Sequence, residues 1–170
     1  MSTNRTGVHY RRMRSGVVSQ ATKGVNALDR RALNPLQPGR RPIHTLNPAL
    51  AVLRDGRIMA YGTMGGDGQP QSQAALFTRH VLYRQKLDEA IDLPRWLLGR
   101  TWGSAHTNLR LESRFHDSVI DQLLSAGHDV EVLPEAYSDT MGHVGAVVLH
   151  PNGMLEGAHD PRADGGATGI

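Results

Sequence analysis

Between residues 49 and 73 the chain reads ALAVLRDGRIMAYGTMGGDGQPQSQ, an order of residues that few backbones accommodate. Two short apolar runs flank Asp55-Gly56, a dipeptide that tolerates the positive φ angles of a tight turn, so they predict a β-hairpin. Four glycines then fall within residues 62–68, just before Pro70. Proline suits the first turn of a helix, where its missing N–H costs nothing, and Ala74, Phe77 and Val81 recur on one side of the segment after it. The spacing predicts a helix over residues 70–84, joined to the hairpin by a bare backbone bend.

The rest of the chain repeats this grammar of short elements. Residues 87–93 predict a short helix stopped by Pro94, and residues 109–112 a strand. Between them RWLLGRTWG carries both tryptophans and no clear period, so aromatic packing is weighed there against a substrate-facing role. Residues 117–126 form the clearest amphipathic pattern, with Val119, Ile120, Leu123 and Leu124 in one stripe and Gly127 placed as the stop. Residues 128–133 alternate as a strand. Residues 143–150 and 154–158 flank Pro151-Asn152-Gly153 and predict a second hairpin. Before about Leu46 there is no sustained period, and Asn34, Pro35, Pro38, Gly39 and Pro42 break the segment repeatedly.

Charge divides the chain in the same place. Nine of the 19 basic residues, but only Asp29 of the 16 acidic ones, lie in residues 1–41, so the remainder is net acidic. We therefore divide the chain into a basic, irregular segment, 1–41, and a folded domain, 42–170. A basic terminus of this kind serves as a nucleic-acid arm, a transit peptide or a poorly packed tail. No aromatic-interleaved basic face accompanies the arginines, so nucleic acid is not an expected partner. Without cysteine, thiolate nucleophiles, disulfides and Cys-based zinc sites are excluded. No apolar run reaches bilayer length, so a soluble chain with no membrane partner is expected.

Three places carry candidate chemistry. Gly65 and Gly66 allow successive backbone N–H groups to converge near a helix start, which builds an anion site without side chains. A phosphate loop would need Gly-Lys-Ser/Thr, and a dinucleotide fold glycines at the first, third and sixth positions; the spacing here is GxxGGxG without a lysine. An oxyanion hole and a plain strand-to-helix turn both remain open. The second place is RRPIHTLNP, where two prolines stiffen a segment presenting His44 and Thr45, suited to holding a carboxylate or, through His44, to general-base work. The third is His116-Asp117-Ser118, which has the residue types of a triad, yet neighbours at a helix start diverge and cannot form the relay. It reads as a helix entry. His143, His150 and His159 match no metal-ligand spacing, so neither a metal nor another cofactor is expected.

Taken in order, RRPIHTLNPAL, DGRIMAYGTMGGDGQPQSQAALFTR, DEAIDLPRWLLGRTWG, LLSAGHDVEVLP and GMLEGAHDPRADGGATG resemble the C-terminal part of the γ-glutamyltransferase small subunit. HTLNP and YGTMGGDGQPQ look closer to its oxamate amidohydrolase-like branch than to glutathione-cleaving members. The resemblance implies an α/β (α+β) chain, a partial αββα sandwich of the N-terminal nucleophile hydrolase type. It also implies amide hydrolysis or acyl transfer through an acyl-threonine. On this basis Gly65 and Gly66 fall on the oxyanion-hole glycines, and His44 and Thr45 on a Ser-Ser pair that contacts the substrate carboxylate. Histidine and threonine there favour a smaller carboxylate than γ-glutamyl.

One departure matters. A family small subunit begins with the nucleophilic threonine, and none of Thr3, Thr6 or Thr22 sits in such a motif. No nucleophile is therefore assigned, and a polypeptide supplying the large subunit and the nucleophile segment is the expected partner. A noncatalytic remnant or small-carboxylate binding module is the alternative. The resemblance fits a cytoplasmic protein, or a periplasmic one if the full-length form carries a signal.

Overall fold

The computed structural model describes residues 31, 35, 37–39, 46–101 and 104–169. Its contacts fall into two units, Arg11–Leu46 in one and Met1–Tyr10 with Asn47–Ile170 in the other. In the first, Arg31 and Pro38-Gly39 lie in turns, Gly39 at φ 74°.

The second unit opens with the expected hairpin. β1 (Ala49–Val52) pairs antiparallel with β2 (Ile58–Met64), Ala51 opposite Met59. Gly56 takes φ 87°, and the Asp55 carboxylate accepts the Arg57 N–H at 3.1 Å, closing the turn locally. After β2 a single 3-10 turn, Gly66–Gly68, leads into α1 (Gln69–Phe77), with Pro70 in its first turn.

The helix is shorter than its spacing predicts. Thr78 Oγ1 donates back to the carbonyls of Ala74 (2.8 Å) and Ala75 (3.1 Å), and the backbone widens into a π turn over Thr78–Leu82. The buried side is also rotated: Ala74 is exposed, whereas Ser72, Gln73, Leu76, Phe77 and His80 are buried. Ser72 and Gln73 can be buried because each satisfies a carbonyl, of Met141 and Asn47 respectively.

β6 (His143–Leu149) and β7 (Leu155–His159) form the second hairpin, and the four strands make an antiparallel sheet in the order β1-β2-β6-β7. Alternation along the strands decides what each face meets. One face carries Ala51, Met59, Val144, Ala146 and Val148, which pack with Leu76 and Phe77 of α1 and Leu87, Ala90 and Ile91 of α2 (Leu87–Asp92). The opposite face is apolar too, yet open: Leu50, Val52, Ile58, Val147, Leu149 and Leu155 are all exposed. One layer of helices and one layer of sheet are thus complete, giving the mixed α/β, partial sandwich architecture.

A second sheet combines β3 (Trp96–Leu98), β4 (Leu109–Leu111) and β5 (Val130–Val132), with β4 and β5 parallel. β3 lies in the segment without a period, where three residues are too few to show one. α3 (Asp117–Ser125) connects β4 to β5, and Gly127 at φ 87° ends it as expected. Its apolar stripe does not enter the core: none of its residues is buried, and Leu124 is 50% exposed. Among the described residues no helix is long and apolar enough to cross a membrane.

Candidate active site

Gly65 and Gly66 sit where β2 ends and the 3-10 turn begins, with φ values of 148° and 54° that an L side chain rarely adopts. The Gly65 carbonyl accepts two hydrogen bonds, from the Gly68 N–H at 2.9 Å and from Thr101 Oγ1 at 2.7 Å. A trans peptide sets C=O and the following N–H in opposite directions, so locking this carbonyl also aims the Gly66 N–H away from Thr101. Neither the Gly65 nor the Gly66 N–H has a partner among the described residues. Two adjacent donors, one pre-aimed, lie at the start of a helix.

The loop is held from behind by a third glycine. A Cβ on Gly142 (φ 71°) would lie 2.1 Å from the Met64 carbonyl oxygen, and a Cβ on Gly65 would lie 3.3 Å from Gly142 Cα. Gly142 is fixed in turn by Arg95, whose Nη1 donates to its carbonyl at 2.7 Å and to that of Met141 at 3.3 Å. Ser72 Oγ donates to the same Met141 carbonyl.

Arg95 belongs to a buried ionic cluster. It pairs with Asp160, which also pairs with Arg162 at 3.0 Å and accepts the Val144 N–H at 2.6 Å. Glu112 pairs with Arg162 and accepts the N–H groups of Arg95 (2.8 Å) and Ser138 (2.9 Å). Burial pushes Asp160 towards its neutral form, but the Arg95 charge and the N–H donors outweigh it and hold the carboxyl below the usual range. Burial lowers the Arg95 guanidinium, reinforced by the neighbouring Arg162 charge. Nearby Arg79 is lowered to about 10, by burial first and then by Arg95 and Arg162. The cluster ties the end of α2, the start of β6 and the turn after β7 to the back of the glycine loop.

His44 and Thr45 lie outside the described residues. His116 caps α3, its Nδ1 accepting the Ser118 N–H at 3.3 Å, a helix entry as its neighbours indicated. The three later histidines each bond locally instead of converging: His143 with Asp139, His150 with Glu156 (2.8 Å), His159 with the Asp164 carbonyl (3.2 Å). Thr101, Gly142 and Arg95 escaped sequence reasoning, because each acts through a partner more than thirty positions away. The Asp160-Pro161-Arg162 tripeptide was visible as a motif, but nothing in its spacing connects it with Glu112.

The two sheets and their helices define a mixed α/β chain with the architecture of a partial N-terminal nucleophile hydrolase-type sandwich, and comparison specifies the family. The family model for γ-glutamyltranspeptidase matches residues 1–170, so the chain belongs to that family. It is 57% identical over 155 residues to the oxamate amidohydrolase proenzyme of Klebsiella pneumoniae, covering 91% of this chain and 29% of that protein. It is 42% identical to the glutathione hydrolase-like YwrD proenzyme of Bacillus subtilis, covering 92% and 30%. Among solved structures it resembles the cephalosporin acylase of Bacillus halodurans, with TM-score 0.64 and 26% identity over 82% of this chain and 25% of that one. The chain thus spans less than a third of the length of these relatives.

Proposed function

We propose that residues 42–170 form the C-terminal part of the small subunit of an amidohydrolase acting on a small carboxylate-bearing amide, with oxamate the favoured substrate. The Gly65 and Gly66 amides are its oxyanion hole, and His44 and Thr45 hold the carboxylate. The observation that carries this reading is the pair of adjacent N–H groups, without a partner among the described residues, of which the Gly66 N–H has its orientation locked through the Gly65 carbonyl. The high identity to an oxamate amidohydrolase proenzyme supports the substrate class.

The nucleophilic threonine comes from polypeptide outside the described residues, together with a large subunit. Its Oγ attacks the amide carbonyl carbon as its proton passes to a base. The carbonyl oxygen gains the negative charge and accepts hydrogen bonds from the two amides. As this intermediate collapses the base returns the proton to the amide nitrogen, which leaves as ammonia, and the resulting acyl-threonine is then hydrolysed by water.

The test is co-expression with the N-terminal portion of the Klebsiella proenzyme that this chain does not match, followed by assay of ammonia release. Oxamate is expected to be turned over faster than a γ-glutamyl amide. A complex that forms and binds oxamate by calorimetry without releasing ammonia would instead establish a noncatalytic carboxylate-binding module.

A further inference from the structure

At the opposite end of β2 from the glycine loop, roughly 20 Å away along the strand, the first hairpin turn and the π turn after α1 enclose a cleft of about 440 Å³. Arg54, Arg57 and Arg84 all line it. Among the described residues only Arg57 has a carboxylate: its Nε and Nη2 bind Asp55 at 2.9 and 2.8 Å, which neutralises the one acidic residue lining the cleft. Arg54 and Arg84 form no ion pair among the described residues, so the cleft carries uncompensated positive charge.

Arg57 is also held on its other side. The buried His80 places Nδ1 2.9 Å from the Gln85 carbonyl, which requires a proton on that nitrogen, and leaves Nε2 to accept from Arg57 Nη1 at 3.1 Å. A guanidinium fixed from two sides costs little further ordering when it binds an anion. Arg84 has φ 58°, making it the one described residue other than glycine with positive φ. The π turn imposes this, through Tyr83 N–H to the Thr78 carbonyl and Gln85 N–H to the Arg79 carbonyl. Strain of this kind at a bulky residue persists where the surroundings enforce it. Finally, Gln85 Oε1 is buried with no donor among the described residues. Gln85 lines the cleft, and a rotation of its amide would bring this orphaned acceptor to a ligand that is anionic and also carries an O–H.

We propose that this cleft is a binding site for a protonated phosphate-class anion, either free hydrogen phosphate or a phosphate ester bearing a hydroxyl. Its charged oxygens accept from Arg54, Arg57 and Arg84, and an O–H, that of hydrogen phosphate or a hydroxyl of the ester, donates to Gln85 Oε1. The site is independent of the oxyanion reading, since it shares no residue with the glycine loop.

The test is calorimetric titration of the full chain near pH 7.5 at ionic strength fixed with chloride, using inorganic phosphate, sulfate and glycerol 3-phosphate. Sulfate has the same shape and charge but no proton to donate at this pH. Phosphate is expected to bind at least about tenfold more tightly than sulfate, and Gln85→Leu to remove that preference by weakening phosphate alone. Arg84→Gly is expected to weaken phosphate about tenfold or more. Because glycine accepts this φ, the variant should keep the wild-type circular dichroism spectrum. Glycerol 3-phosphate binding more tightly than phosphate assigns the ester; weaker binding assigns the free ion. The proposal is overturned if wild type does not bind phosphate, if sulfate binds equally well, or if folded Arg84→Gly binds phosphate like wild type. It is overturned equally if Gly65→Ala abolishes phosphate binding while Arg84→Gly does not, since the anion then sits at the glycine loop.

Discussion

Thr101 and Gly142 show how little side-chain chemistry an anion site needs when other residues set the backbone. Thr101 is 1% exposed, and its hydroxyl is one of two donors fixing the Gly65 carbonyl. Thr101→Val keeps shape and deletes that donor in a buried place, so a stability loss of about 1–3 kcal/mol is expected by denaturant titration. The amide resonance of Gly66 should shift in the same variant, and Thr101→Ser should restore both. Gly142 has no room for a side chain, since the atom a Cβ would strike is the Met64 carbonyl oxygen. Gly142→Ala is expected to cost about 2 kcal/mol or more, because the positive φ and the clash add. Exchange broadening at Gly65 and Gly66 would report the accompanying displacement of the loop.

The helices separate amphipathic pattern from burial. α3 has the strongest apolar stripe by spacing, yet it only links two strands of the smaller sheet and buries none of its residues. Leu124→Lys should therefore change stability by less than about 0.5 kcal/mol. Met59 on β2 is fully buried against α1 and α2, and Met59→Ala should cost about 2–5 kcal/mol through the cavity it leaves. Thermal melts of the two variants side by side would show whether the core lies on the helix-covered face of the four-stranded sheet. α1 carries the complementary lesson. Its pattern marks the helix but not its orientation, because Ser72 and Gln73 are drawn inward by carbonyls of Met141 and Asn47.

Two properties belong to the assembly of elements. The open face of the four-stranded sheet exposes Leu50 at 70% and Leu155 at 69% beside four further large aliphatic residues. Such a patch favours association, so light scattering is expected to show mass rising with concentration, and Leu50→Lys with Leu155→Lys to suppress it. The buried ionic cluster sets the acid limit. Asp160 is held below its unfolded pKa of about 3.9, so it contributes stability that is complete above that value and lost as pH falls through the folded value. Unfolding midpoints should therefore drop below about pH 4. Asp160→Asn should flatten this dependence while costing about 3–5 kcal/mol at neutral pH, since Arg95 and Arg162 would lose their shared carboxylate.

Both hairpins, the three helices, the strand-to-helix bend and the candidate glycines were legible along the chain. Each depends on neighbours within a few positions: turn dipeptides that accept positive φ, a proline in a first turn, alternation over a strand. The ordered motifs also identified the family. What spacing could not supply was the strand Trp96–Leu98, the rotation of α1, the exposure of α3 and the reason the loop keeps its shape. These are settled by residues distant in sequence, with Thr101 reaching Gly65 and Arg95 reaching Gly142. A hydrogen bond of that kind leaves no periodic trace, since its geometry exists only once the separate elements have packed together.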